Sequence, residues 1–268
     1  MEAAFFDLDK TVITKASVLA FGYPMYHQGL LSKKAVLKGL YAQAVYLHLG
    51  ANEDRLARLR DSVLALTKGW EQAKVRRIIE EALDEVIAPI IYKDALELMD
   101  RHRAEGRLIV IVSASPEEMV LPLSRYLGAD EAIASRARID EFGRYTGEMA
   151  FYAYGPYKAE AMRELAQRRG LDLSRSYAYS DSYTDLPMLE AVGHPVAVNP
   201  DRVLQRIAKD RGWEVVRFSR PVQMRPPAWV GEIRLGRPHA WAAAALLAAG
   251  AAAALTWRIG TRAKPASL

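Results

Sequence analysis

The chain has 268 residues, 51% of them hydrophobic and 26% charged, enough to bury a sizeable core and too apolar for a disordered chain. It contains no cysteine, which excludes disulfides, thiolate nucleophiles and cysteine-built zinc sites together and leaves the redox compartment open. The net charge of +5 is concentrated at the end: from Arg220 onward seven basic residues face Glu232 alone, leaving 30 basic against 31 acidic side chains in the body. A body so balanced is a poor binder of phosphate backbones, and no nucleic-acid partner is expected.

Met1 and Glu2 lead directly into an apolar run without the basic and apolar leader of an export signal, so the body is expected to stay in the cytoplasm. The run Ala3 to Phe6 is short and aromatic and stops at polar residues, which predicts a buried parallel strand opening into a loop. Asp7 and Asp9 follow, then Thr11. Side chains two apart on an extended segment point the same way, so both carboxylates face one small volume and need a cation or a proton between them. A solvated turn is the competing reading of the aspartate pair alone.

From Ser17 to Ala88 the apolar residues fall at helical spacing, broken at Gly29, Gly50 and Gly69. Helices are predicted over Ser32 to Leu47, Glu53 to Thr67 and Glu71 to Val86, together a helical insert over the end of the first strand. Phe21, Tyr23, Met25 and Tyr26 could line a pocket; at this spacing they are expected in the core. The sheet resumes with Leu108 to Val112, followed by Ser113, Ala114, Ser115 and Pro116 and then a helix beginning at Glu117. A hydroxyl and adjacent amides at such a point can hold an anion, or the serine can simply cap the helix, and both readings stand.

Residues 138–151 alternate around Phe142 and Gly143 as a β-hairpin. Lys158 opens a helix running to Arg169, where a cation is misplaced unless an anion is near; an exposed lysine is the alternative. Ser176 to Ser180 reads as a strand running into Asp181 and Asp185, whose spacing of four puts both carboxylates on one side of a helical turn. Capping accounts for one of them, not both. Pro195 to Val198 and Glu214 to Phe218 supply two further strands around a helix from Asp201 to Arg211.

Residues 220–239 are a Pro- and Arg-rich linker. Residues 240–257 then run 18 positions with only Gly250 and Thr256 interrupting the apolar character. As a helix they would span about 27 Å, just short of a hydrocarbon layer of about 30 Å. Trp241 and Trp257 stand at the ends with Arg237, Arg258 and Arg262 outside, so a transmembrane or membrane-associated helix anchoring the chain is expected. An Ala-rich helix docking on a protein partner is the competing reading.

In chain order, the Asp7, Asp9, Thr11 series after the first strand, Ser113 after a later one, Lys158 at a helix start and the run Ser180, Asp181, Ser182, Asp185 resemble the haloacid dehalogenase superfamily. The likeness is to the phosphoserine-phosphatase-like subfamily, whose helical cap follows the first motif, and it covers about residues 3 to 218. It implies an α/β fold with a Rossmann-like parallel sheet core made of residues 1–14 and 105–219, a helical cap insert over 15–104 and the C-terminal apolar helix as an addition. It further implies Mg²⁺-dependent hydrolysis of a phosphomonoester substrate through an aspartyl-phosphate. Asp7 would be the nucleophile and Asp9 the acid and base. Mg²⁺ would sit among Asp7, the backbone carbonyl of Asp9, Asp181 and Asp185, and Thr11, Ser113, Ala114 and Lys158 would hold the phosphate.

Two positions depart from the subfamily. Ala16 stands nine residues after Asp7, where phosphoserine phosphatases carry a glutamate for the substrate's ammonium, which argues against phosphoserine itself. Ser180 replaces a glycine. With the apolar tail, these features favour a small or amphiphilic phosphomonoester; a phosphotransferase of the same fold and a membrane-tethered binding protein are the alternatives, and the oligomeric state stays open.

Overall fold

The computed structural model describes residues 1–32 and 53–220. Strand β1 (Ala3–Asp7) lies at the centre of a seven-stranded sheet with β2 (Leu108–Pro116), β3 (Glu131–Ile139), β4 (Tyr145–Phe151), β5 (Tyr177–Ser180), β6 (His194–Val198) and β7 (Glu214–Val216). The order is β4-β3-β2-β1-β5-β6-β7, and every neighbouring pair is parallel except β3 with β4. All five residues of β1 are buried, as expected of a strand covered on both faces.

The period of two along β1 sorts its side chains between two cores. Ala4 and Phe6 face one cluster, with Val75, Ile78 and Ile79 of α4 (Gln72–Ile87), Met99 of α5 (Lys93–Ala104) and Val120 and Leu123 of α6 (Glu117–Tyr126). Ala3 and Phe5 face the other, with Met162 and Leu165 of α7 (Pro156–Arg169), Leu189 of α8 (Leu186–Glu190) and Leu204 of α9 (Arg202–Asp210). Helices on both faces of a mostly parallel sheet make the doubly wound α/β architecture expected from the sequence. The ring of Phe6 stacks on Tyr179 at 4.6 Å, and the buried His102 of α5 contributes its Nε2 to a 2.7 Å hydrogen bond with the Tyr179 hydroxyl.

Between β1 and α5 run α1 (Ser17–Ala20), α2 (Gly22–His27), α3 (Glu53–Thr67) and α4. The chain leaves and rejoins the core at adjacent points: Thr14 N–H donates to the Ile90 carbonyl at 2.7 Å and Tyr92 N–H to that of Val12 at 2.9 Å. The insert is also tied to the β3–β4 hairpin, since Gly69 N–H donates to the Tyr145 carbonyl and Gln72 N–H to that of Gly143. Phe21 and Met25 lie in the core as expected, whereas Tyr23 is 45% exposed.

The helix at Glu53 appears with the predicted bounds, and the hairpin turns at Asp140, whose carboxylate accepts the Phe142 and Arg144 N–H groups. Two elements differ from expectation. β2 continues through Ser113 to Pro116, because a register shift against β3 lets the strand absorb the polar residues instead of ending at Val112. α5, placed by sequence within the helical insert, packs on the sheet through Met99 and His102.

The chain divides into two units, Met1–Arg225 and Pro226–Leu268. The predicted helix from Ser32 to Leu47 lies, beyond its first residue, outside the described residues, as do the linker past Arg220 and the apolar run 240–257. Among the described residues no helix is long and apolar enough to cross a membrane.

Candidate active site

The carboxyl ends of β1, β2 and β5 converge, because these three strands are neighbours in register: Asp7 pairs with Val112, and Phe6 with Tyr179. Ligand sites of doubly wound sheets form at this edge. Asp7 ends β1 and is 6% exposed. Lys158 reaches it from the first turn of α7, its Nζ donating to Asp7 Oδ1 at 2.6 Å and to Asp185 Oδ2 at 2.8 Å. Gly155 makes this approach possible: it precedes the helix at φ +54 and ψ −126, a backbone state open to glycine and strained for other residues.

Lys158 is therefore not the exposed lysine of the competing reading; it is 2% exposed and bridges two buried carboxylates. Burial by itself would lower its ammonium pKa, but Asp185 and Asp7 outweigh that and hold it above the ordinary lysine value. Burial raises the Asp7 carboxyl well above the usual carboxylate range; Lys158 opposes this, and Asp185, Asp181 and Asp9 reinforce it.

Asp185 does not cap α8 with its side chain. Its Oδ2 accepts from Lys158 and, at 2.7 Å, from Ser180 Oγ, so the residue standing where the subfamily has glycine holds a carboxylate in place. Asp181 follows β5, and burial raises its carboxyl to about 7, with Lys10 opposing and Asp185 adding to the rise.

Asp9 turns the other way. Its Oδ1 accepts the Ser17 N–H at 2.5 Å, its Oδ2 accepts from the Ser115 hydroxyl at 2.8 Å, and Ser113 Oγ stands 3.4 Å from the same oxygen. Ser113 is buried within β2 and accepts the Ser115 N–H; the residue at the N-cap of α6 is Pro116, so Ser113 is not that helix's cap. The Ala114 carbonyl accepts from Ser135 Oγ at 2.7 Å. Thr11 is fully buried and its Oγ1 has no hydrogen-bond partner among the described residues.

The structure thus brings Asp7, Lys158 and Asp185 into direct contact, sets Asp181 within electrostatic reach of that group, and aims Asp9 at a serine cluster beside Ser113. Among the described residues no three His, Cys, Asp or Glu side chains stand together at metal-holding distance; Lys158 lies between two of the expected ligands. The donor set still suits a hard divalent cation, being all oxygen and carrying two acids, Asp7 and Asp181, whose protonation is favoured by burial and by the charge of Asp185. Ser17 and Ser115 were given no role from sequence, and Ser180 was noted there only as a departure from the subfamily's glycine. Only Ser115 carries a usable signal, since it lies two residues beyond Ser113 on one strand.

Arg60 of α3 stands over the Tyr152 ring at 5.4 Å, so the insert reaches the segment between β4 and Lys158. One cavity of about 330 Å³, lined by Met1, Glu2, Gly106, Arg107, Asp172 and Arg175, opens at the opposite, amino-terminal edge of the sheet. Its arginines are already paired with Glu2, so it does not compete with the carboxylate site.

Acidic residues following β1 and β5, a hydroxyl on β2 and a lysine opening the next crossover helix define a hydrolase of the haloacid dehalogenase-like kind. The chain belongs to the haloacid dehalogenase-like hydrolase family, whose profile matches residues 4–190. Among its relatives is a protein of Streptomyces azureus named for inhibition of morphological differentiation, 48% identical over 97% of this chain and 94% of that one. A probable phosphatase of Mycobacterium tuberculosis is 49% identical over 96% of this chain and 88% of its own length. A solved phosphoserine phosphatase, in the form of a phospho-aspartyl intermediate analogue, shares the fold with a TM-score of 0.57 at 17% identity, over 87% of this chain and 99% of that one.

Proposed function

We propose that the protein is a phosphatase that hydrolyses phosphomonoesters through a covalent intermediate on Asp7. The observation that carries this reading is the buried contact of Lys158 with Asp7 and Asp185. A cation enclosed with two carboxylates at a strand end is costly to maintain for stability alone, and it is the charge pattern that receives and neutralises a transferring phosphoryl group.

Asp7 attacks phosphorus, and Lys158, already bonded to the attacking carboxylate, neutralises charge on the phosphoryl oxygens as the bond to the leaving group breaks. Asp9 gives a proton to the leaving oxygen and then takes one from the water that opens the acyl-phosphate. Thr11 Oγ1, which has no partner among the described residues, donates to a phosphate oxygen, beside Ser113 and the backbone at Ala114. Asp7, the Asp9 carbonyl and Asp181, with Asp185 beside them, would hold Mg²⁺, which would supply the positive charge that lets a dianionic ester approach these carboxylates.

The test is hydrolysis of p-nitrophenyl phosphate by the full chain with and without Mg²⁺, beside Asp7→Asn. Activity that requires the metal and disappears in the variant is expected, with phosphate trapped on Asp7 after acid quench. Undiminished turnover by Asp7→Asn overturns the reading.

A further inference from the structure

Two serines with no role in the chemistry above grip Asp9 from both sides. The Ser17 backbone N–H bonds Oδ1 at 2.5 Å, the Ser115 hydroxyl bonds Oδ2 at 2.8 Å, and the hydroxyls of Ser17 and Ser115 are 2.8 Å apart. Because Ser115 spends its proton on the carboxylate, its oxygen is the acceptor for Ser17, and the series runs from Ser17 through Ser115 to Asp9. Ser113 is a poorer candidate for this task, at 3.4 Å and already accepting the Ser115 N–H. Ser17 and Ser115 are 0% and 7% exposed, so water does not compete for these bonds. A donor on each carboxylate oxygen fixes both torsions of the aspartate side chain. One donor belongs to the insert's leading helix α1 and the other to β2 of the core.

We propose that Ser115, backed by Ser17, is the positioning pair that orients the Asp9 carboxyl for proton transfer. The inference rests on the reading of Asp9 as acid and base. In the first half-reaction the Asp7–phosphorus bond forms, the phosphorus–oxygen bond of the ester breaks, and the leaving oxygen takes the Asp9 proton. In the second, water oxygen bonds to phosphorus, its proton goes to Asp9, and Asp7 is released. Misorienting Asp9 slows proton delivery, and that matters in proportion to how poor the leaving group is.

The experiment compares kcat and KM of the full chain with Mg²⁺ on an alkyl phosphate and on 2,4-dinitrophenyl phosphate, for wild type, Ser115→Ala, Ser115→Thr, Ser17→Ala and Asp7→Asn. Ser115→Ala is expected to lower kcat on the alkyl ester about 10- to 100-fold, part of what a general acid contributes, with KM within about twofold. On the dinitrophenyl ester, whose leaving group needs no proton, the fall is expected to stay below about threefold. Ser115→Thr restores most of the loss and Ser17→Ala shows the same pattern more weakly. Partial unfolding cannot imitate this result, since the ratio between two substrates does not depend on the folded fraction. Equal losses on both esters, or Ser115→Ala indistinguishable from wild type while Asp7→Asn is dead, overturns the positioning role and leaves the proposed function standing. A wild type inactive on both esters overturns both.

Discussion

Replacing Lys158 by methionine keeps the apolar stem and deletes the charge. Nζ lies 2.6 Å from Asp7 and 2.8 Å from Asp185, and the three side chains are 3%, 9% and 3% exposed. At an effective dielectric of about 20 each contact is worth about 6 kcal/mol of Coulomb attraction, most of it offset by the cost of bringing three charges out of water. What the variant loses is therefore set by the two carboxylates left facing each other without a cation, and removing one member of a buried pair costs about 3–5 kcal/mol. In urea, with a slope of about 2 kcal/mol per molar, the midpoint should fall by about 1.5–2.5 M in metal-free buffer. Adding Asp185→Asn to Lys158→Met should restore at least half of the loss, because it removes one of the stranded charges. A single variant within about 1 kcal/mol of wild type, or a double variant no more stable than the single, refutes the account of Lys158 as the counter-ion of this site.

Thr11→Val removes a buried hydroxyl without a partner among the described residues, so stability should hold within about 1 kcal/mol or rise while kcat/KM on an aryl phosphate falls at least about tenfold; a parallel loss of both would contradict the assigned role. Gly155→Ala forces a side chain into the φ +54, ψ −126 state and should cost about 1–3 kcal/mol, more than Gly170→Ala at the left-handed end of α7, where about 1 kcal/mol is expected; equal costs by chemical denaturation would count against the strain argument. Burial, with Arg107 adding, lowers the His102 imidazole from 6.5 to about 4. The unfolded chain then binds the extra proton first, so stability present above about pH 6.5 is lost as pH falls toward 4; the melting temperature of His102→Gln should drop less over that window than that of wild type, and identical drops would exclude this coupling.

What could be read from the chain alone followed physical pattern. β1 is legible because a strand buried on both faces needs continuous apolar residues, and the aspartates after it end the run abruptly. Asp7, Lys158 and Asp185 are legible because each is a charge out of place, at a strand end or a helix start, and misplaced charges ask for partners. α5 was not separable from the insert: its helical writing continues that of α3 and α4, and only the packing of Met99 and His102 under the sheet assigns it to the core. The extension of β2 escaped notice because serines and a proline carry little strand propensity, and a bulge against β3 supplies what propensity does not. Ser17 was invisible because its contribution to Asp9 includes a backbone N–H, which every residue but proline has.

The adjoining points at which the insert departs from and returns to the core, pinned by the bonds of Thr14 to Ile90 and Tyr92 to Val12, bear on how such a chain can diversify. With its two ends stapled side by side, a segment of any length bridges the same gap, and each doubling of that length adds only about 0.6 kcal/mol of closure entropy. The stretch beyond Ser17, whose N–H holds Asp9, can then be enlarged, trimmed or exchanged while the strands that carry the aspartates keep their register.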